Sequence, residues 1–188
     1  MKTQLKPWRE VISPHKDVAE GRYQQAEFAA DLAQVLSGNA EVEYQDASEF
    51  FNRTYLTEGM KLLLASSLRR AGNINGDPVI ELKTAFGGGK THSMLAIYHL
   101  YKNQNKIKDH TLIKEVLSFV GIKEIPKASV AVLVGTALDP AKPRLVSDVG
   151  KINTLWGEMA YQLGGKEAFN FIKESDQKSV APGSNTLV

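Results

Sequence analysis

The stretch VIELKTAFGGGKTHSMLAIYHLY, residues 79–101, constrains this chain more than any other. An apolar, β-prone run leads into three glycines, then Lys-Thr, then residues with helical apolar spacing. Strand, glycine loop and helix in that order make a phosphate cradle. Successive backbone N–H groups of such a loop point into one hollow. The following helix adds its unpaired first N–H groups and the positive end of its dipole. Glycine is needed where backbone must touch ligand, because a side chain would hold it off. On this reading the amides from Phe86 through Gly87, Gly88 and Gly89 to Lys90 and Thr91 surround phosphate oxygens. The Lys90 ammonium reaches the outer phosphates and the Thr91 hydroxyl holds Mg²⁺. ATP with Mg²⁺ is the expected cofactor. One position departs from the G-x-x-x-x-G-K-[ST] pattern, since Thr84 stands where the first glycine belongs. The turn there must keep a negative φ, leaving Gly87 and Gly88 to carry the tight bend. The plainer alternative, a flexible linker with an exposed lysine, fits poorly between an apolar strand and an apolar-faced helix.

The rest of the chain reads as follows. Residues 1–13, with Pro7, form an irregular lead-in. Tyr23 to Leu36 has a helical face (Phe28, Leu32, Val35, Leu36) stopped by Gly38. AEVEY, residues 40–44, alternates like a short strand. Asp46 caps a helix through Phe50 and Phe51, and Thr57 caps another that runs to Ala71 with Met60, Leu63, Leu64, Ser67 and Leu68 inward. The turn formers of GNINGDP, residues 72–78, separate this helical part from an α/β middle. There VIELK is a strand, and Lys90 to Tyr101 a helix with Met94, Leu95, Ile97 and Tyr98 for burial. Thr111 to Val120 is a further helix. ASVAVLVGTA, residues 128–137, suits a central parallel strand covered on both faces. TLWGEMAYQL, ended by Gly164 and Gly165, and KEAFNFIKES give two more helices, with Trp156, Met159, Tyr161 and Leu163 expected in the core. DQKSVAPGSNTLV shows no pattern that could bury itself. The expected fold class is α/β, an incomplete P-loop parallel sheet with a helical N-terminal segment. Its divisions are 1–72 (helical segment), 73–165 (first part of the nucleotide-binding core) and 166–188 (helix and tail).

Composition excludes several classes. A net charge of +2 is too small to argue for nucleic acid or an anionic membrane. There is no cysteine, so no disulfide and no thiolate metal site, which fits a reducing compartment. The start MKTQLKPWREV lacks the apolar segment of a signal peptide, and no apolar run approaches the ~18 residues of a membrane span. His92 and His99 lie seven apart, not at the i, i+4 spacing of a helical zinc pair.

Beyond the loop, five blocks resemble a known family: PHKDVAEGRYQQAEFAADLAQV, EFFNRTYLTEGM, TAFGGGKTHSMLAIYHLY, VAVLVGTALDP and TLWGEMAYQLGG. The chain resembles the N-terminal region of large bacterial and archaeal P-loop ATPases of the AAA+ type, classed as domain of unknown function 499. These are found in phage-defence gene clusters and are related to the BREX ATPases. The resemblance implies a cytoplasmic ATPase that works beside DNA or a DNA-modifying partner such as a methyltransferase. It also implies that Tyr55, or the Thr54 and Thr57 hydroxyls, line the base pocket. The residues themselves favour a simpler role there, Thr57 as a helix cap and Tyr55 as a packing staple.

Hydrolysis needs an acidic residue at the tip of a second strand to hold Mg²⁺ and polarise water. The nearest candidate, Asp139, lies beyond a turn after Gly135. Arg144, in the loop that follows, is the nearest candidate for an arginine finger, and Arg22 and Tyr23 could reach a nucleotide from the N-terminal segment. The residues after Lys90 are too few for about five βα units of about 30 residues each. The chain is therefore expected to be the N-terminal piece of a longer ATPase, binding ATP and inactive in hydrolysis alone. A second reading is a scaffold whose glycine loop grips an anion or a partner's carboxylate without turnover. A third, a small-molecule kinase, requires an arginine-rich lid after the loop helix, and residues 102–127 contain no arginine.

Overall fold

The computed structural model describes residues 6–14, 16–21, 30–85, 87–135 and 142–187. It divides into a unit of residues 1–30 and one of residues 31–188. In the first, Pro7 opens the one-turn helix α1 (Trp8–Val11), where an irregular lead-in was expected, and α2 (Lys16–Ala19) follows. The fixed φ of proline suits a helix start, which is why one turn forms there. The helix expected from Tyr23 lies outside the described residues until residue 30.

The second unit is built from capped helices. The Asp31 carboxylate accepts from the N–H groups of Ala33 and Gln34 to start α3 (Leu32–Ser37), and Gly38 ends it at φ 76°. Residues 42–45 form α4 (Val42–Gln45) rather than the expected strand. Alternation over five residues fits a single helical turn as well, and the N–H groups of Tyr44 and Gln45 both find the Glu41 carbonyl. Asp46 caps α5 (Ala47–Arg53), and the Thr57 hydroxyl accepts from the Met60 N–H to start α6 (Glu58–Ala71). Then come α7 (Lys90–Lys102), α8 (Gln104–Ile107) and α9 (Thr111–Val120). The cap of α9 is the His110 imidazole, whose Nδ1 accepts from the Leu112 N–H.

The core joins these helices. Phe50 and Phe51 of α5, Leu64 and Leu68 of α6, Leu95 and Leu100 of α7, Ile107, Ile113 and Val116 are all buried. Each such burial stabilises the fold by about 1.5–3 kcal/mol. α6 packs on α7 and α9, and α8 on α5 and α7. On α7 the buried side is Leu95, Ala96, His99 and Leu100, while Met94 is exposed. The inward face thus sits one position away from the one expected.

The parallel sheet does not form. The described residues are mostly helical, and their one sheet is an antiparallel pair, β1 (Arg144–Val146) with β2 (Gly150–Ile152), Val146 opposite Gly150. The α/β assignment is therefore wrong for this structure. A β-branched run reports a preference for a pleated, half-buried surface; it does not supply a ladder partner. Val79 is 82% exposed, so VIELK is not a buried strand. In the second run Val130, Val132 and Val134 do share one side, beside Leu36, Tyr98 and Tyr161. Yet the backbone of Val132 is held by a side chain: Gln162 Oε1 accepts from its N–H at 2.7 Å, and Gln162 Nε2 donates to its carbonyl at 2.9 Å.

The last long helical stretch, α10 (Leu155–Gln177), is two arms broken at Gly164 and Gly165, where the paired helices were expected. Trp156 and Leu163 are exposed rather than core, and Gly157, Glu158, Phe169, Ile172 and Asp176 are the buried residues. A short helix, α11 (Ser184–Leu187), follows. No helix among the described residues is long and apolar enough to cross a membrane.

Candidate functional site

The glycine loop is bent, not stretched. The Gly88 N–H donates to the Ala85 carbonyl at 3.1 Å and closes a turn. Gly87 (φ 77°) and Gly89 (φ 74°) take the left-handed backbone that a side chain would disfavour. Gly88 is constrained differently: a Cβ there would lie 2.6 Å from Thr84 Cβ and closer still to Thr84 Oγ1. Thr84 keeps out of the positive-φ region, as its side chain requires. The bend therefore falls on Gly87 and Gly89, where Gly87 and Gly88 were expected. Phe86, the first residue of the expected amide set, lies outside the described residues.

Gly89 is also the N-cap of α7, and no side chain caps that helix. α3, α5, α6, α9 and α10 all begin on a capping side chain. The first N–H groups of α7 have no intrahelical acceptor. They sit at the positive end of a 13-residue helix. Over the same turn lies the Lys90 ammonium. It donates to Thr84 O at 3.1 Å, Thr84 Oγ1 at 3.0 Å and Ala85 O at 3.2 Å. Thr91 follows as the second residue of α7 and is half-buried. The donor set of exposed glycine backbone, an uncapped helix start and an ammonium folded over the turn is one that suits an anion of several oxygens.

His92 fastens this end of α7 to α5. Its ring lies on Phe50, with centroids 4.5 Å apart, and its Nε2 is 3.0 Å from Thr54 Oγ1. The Thr54 hydroxyl donates to the Phe50 carbonyl at 2.6 Å. Its oxygen is thus an acceptor toward His92, and Nε2 carries the imidazole proton. Burial holds the His92 pKa below the ordinary histidine value. Thr57 is used as a helix cap, and Tyr55 packs on nothing as a staple, being 84% exposed.

Asp139, Arg22 and Tyr23 lie outside the described residues. Arg144 is engaged elsewhere: its Nε donates to Glu158 Oε2 at 2.6 Å, and its guanidinium lies over the Tyr161 ring. Among the described residues there is no cluster of three or more His, Asp or Glu side chains that could hold a metal ion. A cavity of about 880 Å³ is lined by Arg144, Asn153, Thr154, Trp156, Glu158 and Ser179, and by none of the loop residues.

Sequence reasoning missed one buried carboxylate altogether. Asp176 is 1% exposed and accepts from Asn153 N–H, Asn153 Nδ2, Thr154 N–H and Thr154 Oγ1, at 2.7 to 3.2 Å. It ties the end of the second arm of α10 to the start of the first. Asn153-Thr154 before an apolar run marks a cap, but nothing in the sequence marks an acid 22 residues onward as its partner.

In comparison with known proteins, a family model described as the DUF499 N-terminal domain matches residues 4–188. No curated protein and no solved structure matches.

Proposed function

The chain belongs to the DUF499 family, and from that premise we propose that it binds the phosphates of ATP at the turn between Thr84 and Thr91. The observation that carries this is the coincidence of two features at one place. α7 starts on bare glycine with no capping side chain, and the Lys90 ammonium is bonded to Thr84 and Ala85 at the entry of the turn that leads into it. Phosphate oxygens would take the amides of Gly87, Gly89, Lys90 and Thr91, that of Gly88 being bonded to the Ala85 carbonyl, and would share the Lys90 protons. Thr91 would hold Mg²⁺, which neutralises phosphate charge when bound. This is the reading for a phosphate-binding module of a larger ATPase that acts in phage defence with DNA or a DNA-modifying partner. It rests on the loop and does not require a parallel sheet.

The test is calorimetric titration of ATP with Mg²⁺ into the chain and into Lys90→Ala. The charge-assisted bonds of one lysine predict at least about tenfold weaker binding by the variant. Equal affinity would remove Lys90 from the site. No binding by the unaltered chain would remove the reading.

A further inference from the structure

We propose that the Thr84 hydroxyl positions Lys90, and that residue 88 is glycine because residue 84 is not. The phosphate-loop pattern places glycine first and tolerates a side chain four residues later. Here the two positions are exchanged, with Thr84 first and Gly88 later.

The geometry gives the reason. The Lys90 ammonium has three protons and finds three oxygens: Thr84 O, Thr84 Oγ1 and Ala85 O. Two are backbone carbonyls that any residue would present. The third exists only because residue 84 carries a hydroxyl. That hydroxyl sends its own proton to the Ala85 carbonyl at 3.1 Å, which turns its oxygen toward the lysine as acceptor. Branching at Cβ stiffens the threonine side chain about χ1. The space it fills is the space a side chain at 88 would need, since a Cβ on Gly88 would stand 2.6 Å from Thr84 Cβ. The side chains of 84 and 88 therefore exclude each other, and this loop keeps the one that holds the lysine. The value of this to a ligand rests on the phosphate reading above. A lysine already ordered over the turn loses less conformational freedom when phosphate arrives.

The experiment measures water exchange of lysine ammonium protons by ¹⁵N–¹H NMR, which needs no ligand, and then titrates sodium tripolyphosphate. Lys90 should exchange more slowly than Lys83, whose side chain is 79% exposed. Thr84→Val should speed Lys90 exchange about tenfold, the loss of one bond to a charged group, and weaken tripolyphosphate by a similar factor. Thr84→Ser should stay close to the unaltered chain in both. Gly88→Ala should displace the amide shifts of residues 87–92. Thr84→Gly with Gly88→Ala should restore those shifts in large part, the Ala85 carbonyl at 3.0 Å from a Cβ at 88 being the remaining close contact, while Lys90 exchange stays fast. Unchanged exchange in Thr84→Val, or undisturbed shifts in Gly88→Ala, would overturn the proposal. Slow exchange that Thr84→Val abolishes, in a chain that binds no tripolyphosphate, would uphold the Thr84–Lys90 link and overturn the phosphate reading alone.

Discussion

Two residues outside the glycine loop show what single side chains contribute here. Asp176 is a buried carboxylate satisfied by four donors, and Asn153 and Thr154 depend on it in return. Asp176→Ala leaves those donors without an acceptor, so it should destabilise the chain by about 3 kcal/mol in urea unfolding. A loss below about 1 kcal/mol would mean that water replaces the carboxylate at little cost. Ser179 is the reverse case. It sits at φ 55° just past α10, where the Val180 N–H bonds the Ser175 carbonyl and the Ser179 N–H bonds the Asp176 carbonyl. That is the hydrogen-bond pattern of a helix end that normally uses glycine. Ser179→Gly should therefore raise stability by up to about 1 kcal/mol. An unchanged or lower unfolding midpoint would show that the strain is offset elsewhere.

At the scale of elements, the capped helices were legible in the sequence, whereas the one-turn helices α1, α4, α8 and α11 and both strands were not. Asp46 and Thr57 cap the helices they were expected to cap, and Gly72 and Gly121 end theirs. These signals act within one turn of chain, so a local reading captures them. A strand is completed by a partner far away in sequence, and VIELK and ASVAVLV carry no information about whether that partner is there. The glycine loop falls between these cases. That the loop bends was legible from residue types, whereas which glycines carry the bend, and the contacts of Thr84 with Lys90 and of His92 with Thr54, needed coordinates. The break in α10 was also legible, and its geometry makes a prediction. Gly165 has φ 63° and ψ −150°, a region essentially closed to residues with a Cβ. Gly165→Ala should cost about 1–3 kcal/mol, visible as a lower thermal midpoint, and should separate Asp176 from Asn153. Unchanged stability would mean that the two arms do not depend on that bend.

For the unit of residues 31–188 as a whole, the loop helix and the core share a set of rings. Phe50 stands between His92 and His99, with ring centroids 4.5 Å and 5.1 Å away. His99 is fully buried, its Nε2 bonded to the Tyr44 carbonyl at 2.8 Å and its Nδ1 to Asn103 at 3.1 Å. Burial holds His99, His92 and His110 below the ordinary histidine value of 6.5, most directly through desolvation. A histidine with a depressed folded pKa binds fewer protons folded than unfolded. Its full stabilisation is present above the ordinary value and is lost as pH falls through that value toward the folded one. Urea stability should therefore drop as pH falls through the ordinary histidine value of 6.5, and His99→Gln should flatten the drop. A pH-independent midpoint would show that these rings charge without penalty. The central claim is that the backbone between Thr84 and Thr91 receives phosphate. Its most direct measurement is the amide NMR spectrum of the chain during titration with Mg²⁺ and ATP. The account predicts saturable shifts centred on the N–H groups of Gly87, Gly88, Gly89, Lys90 and Thr91, needing at least about tenfold more ATP in Lys90→Ala; saturating ATP that leaves those five signals in place would contradict it.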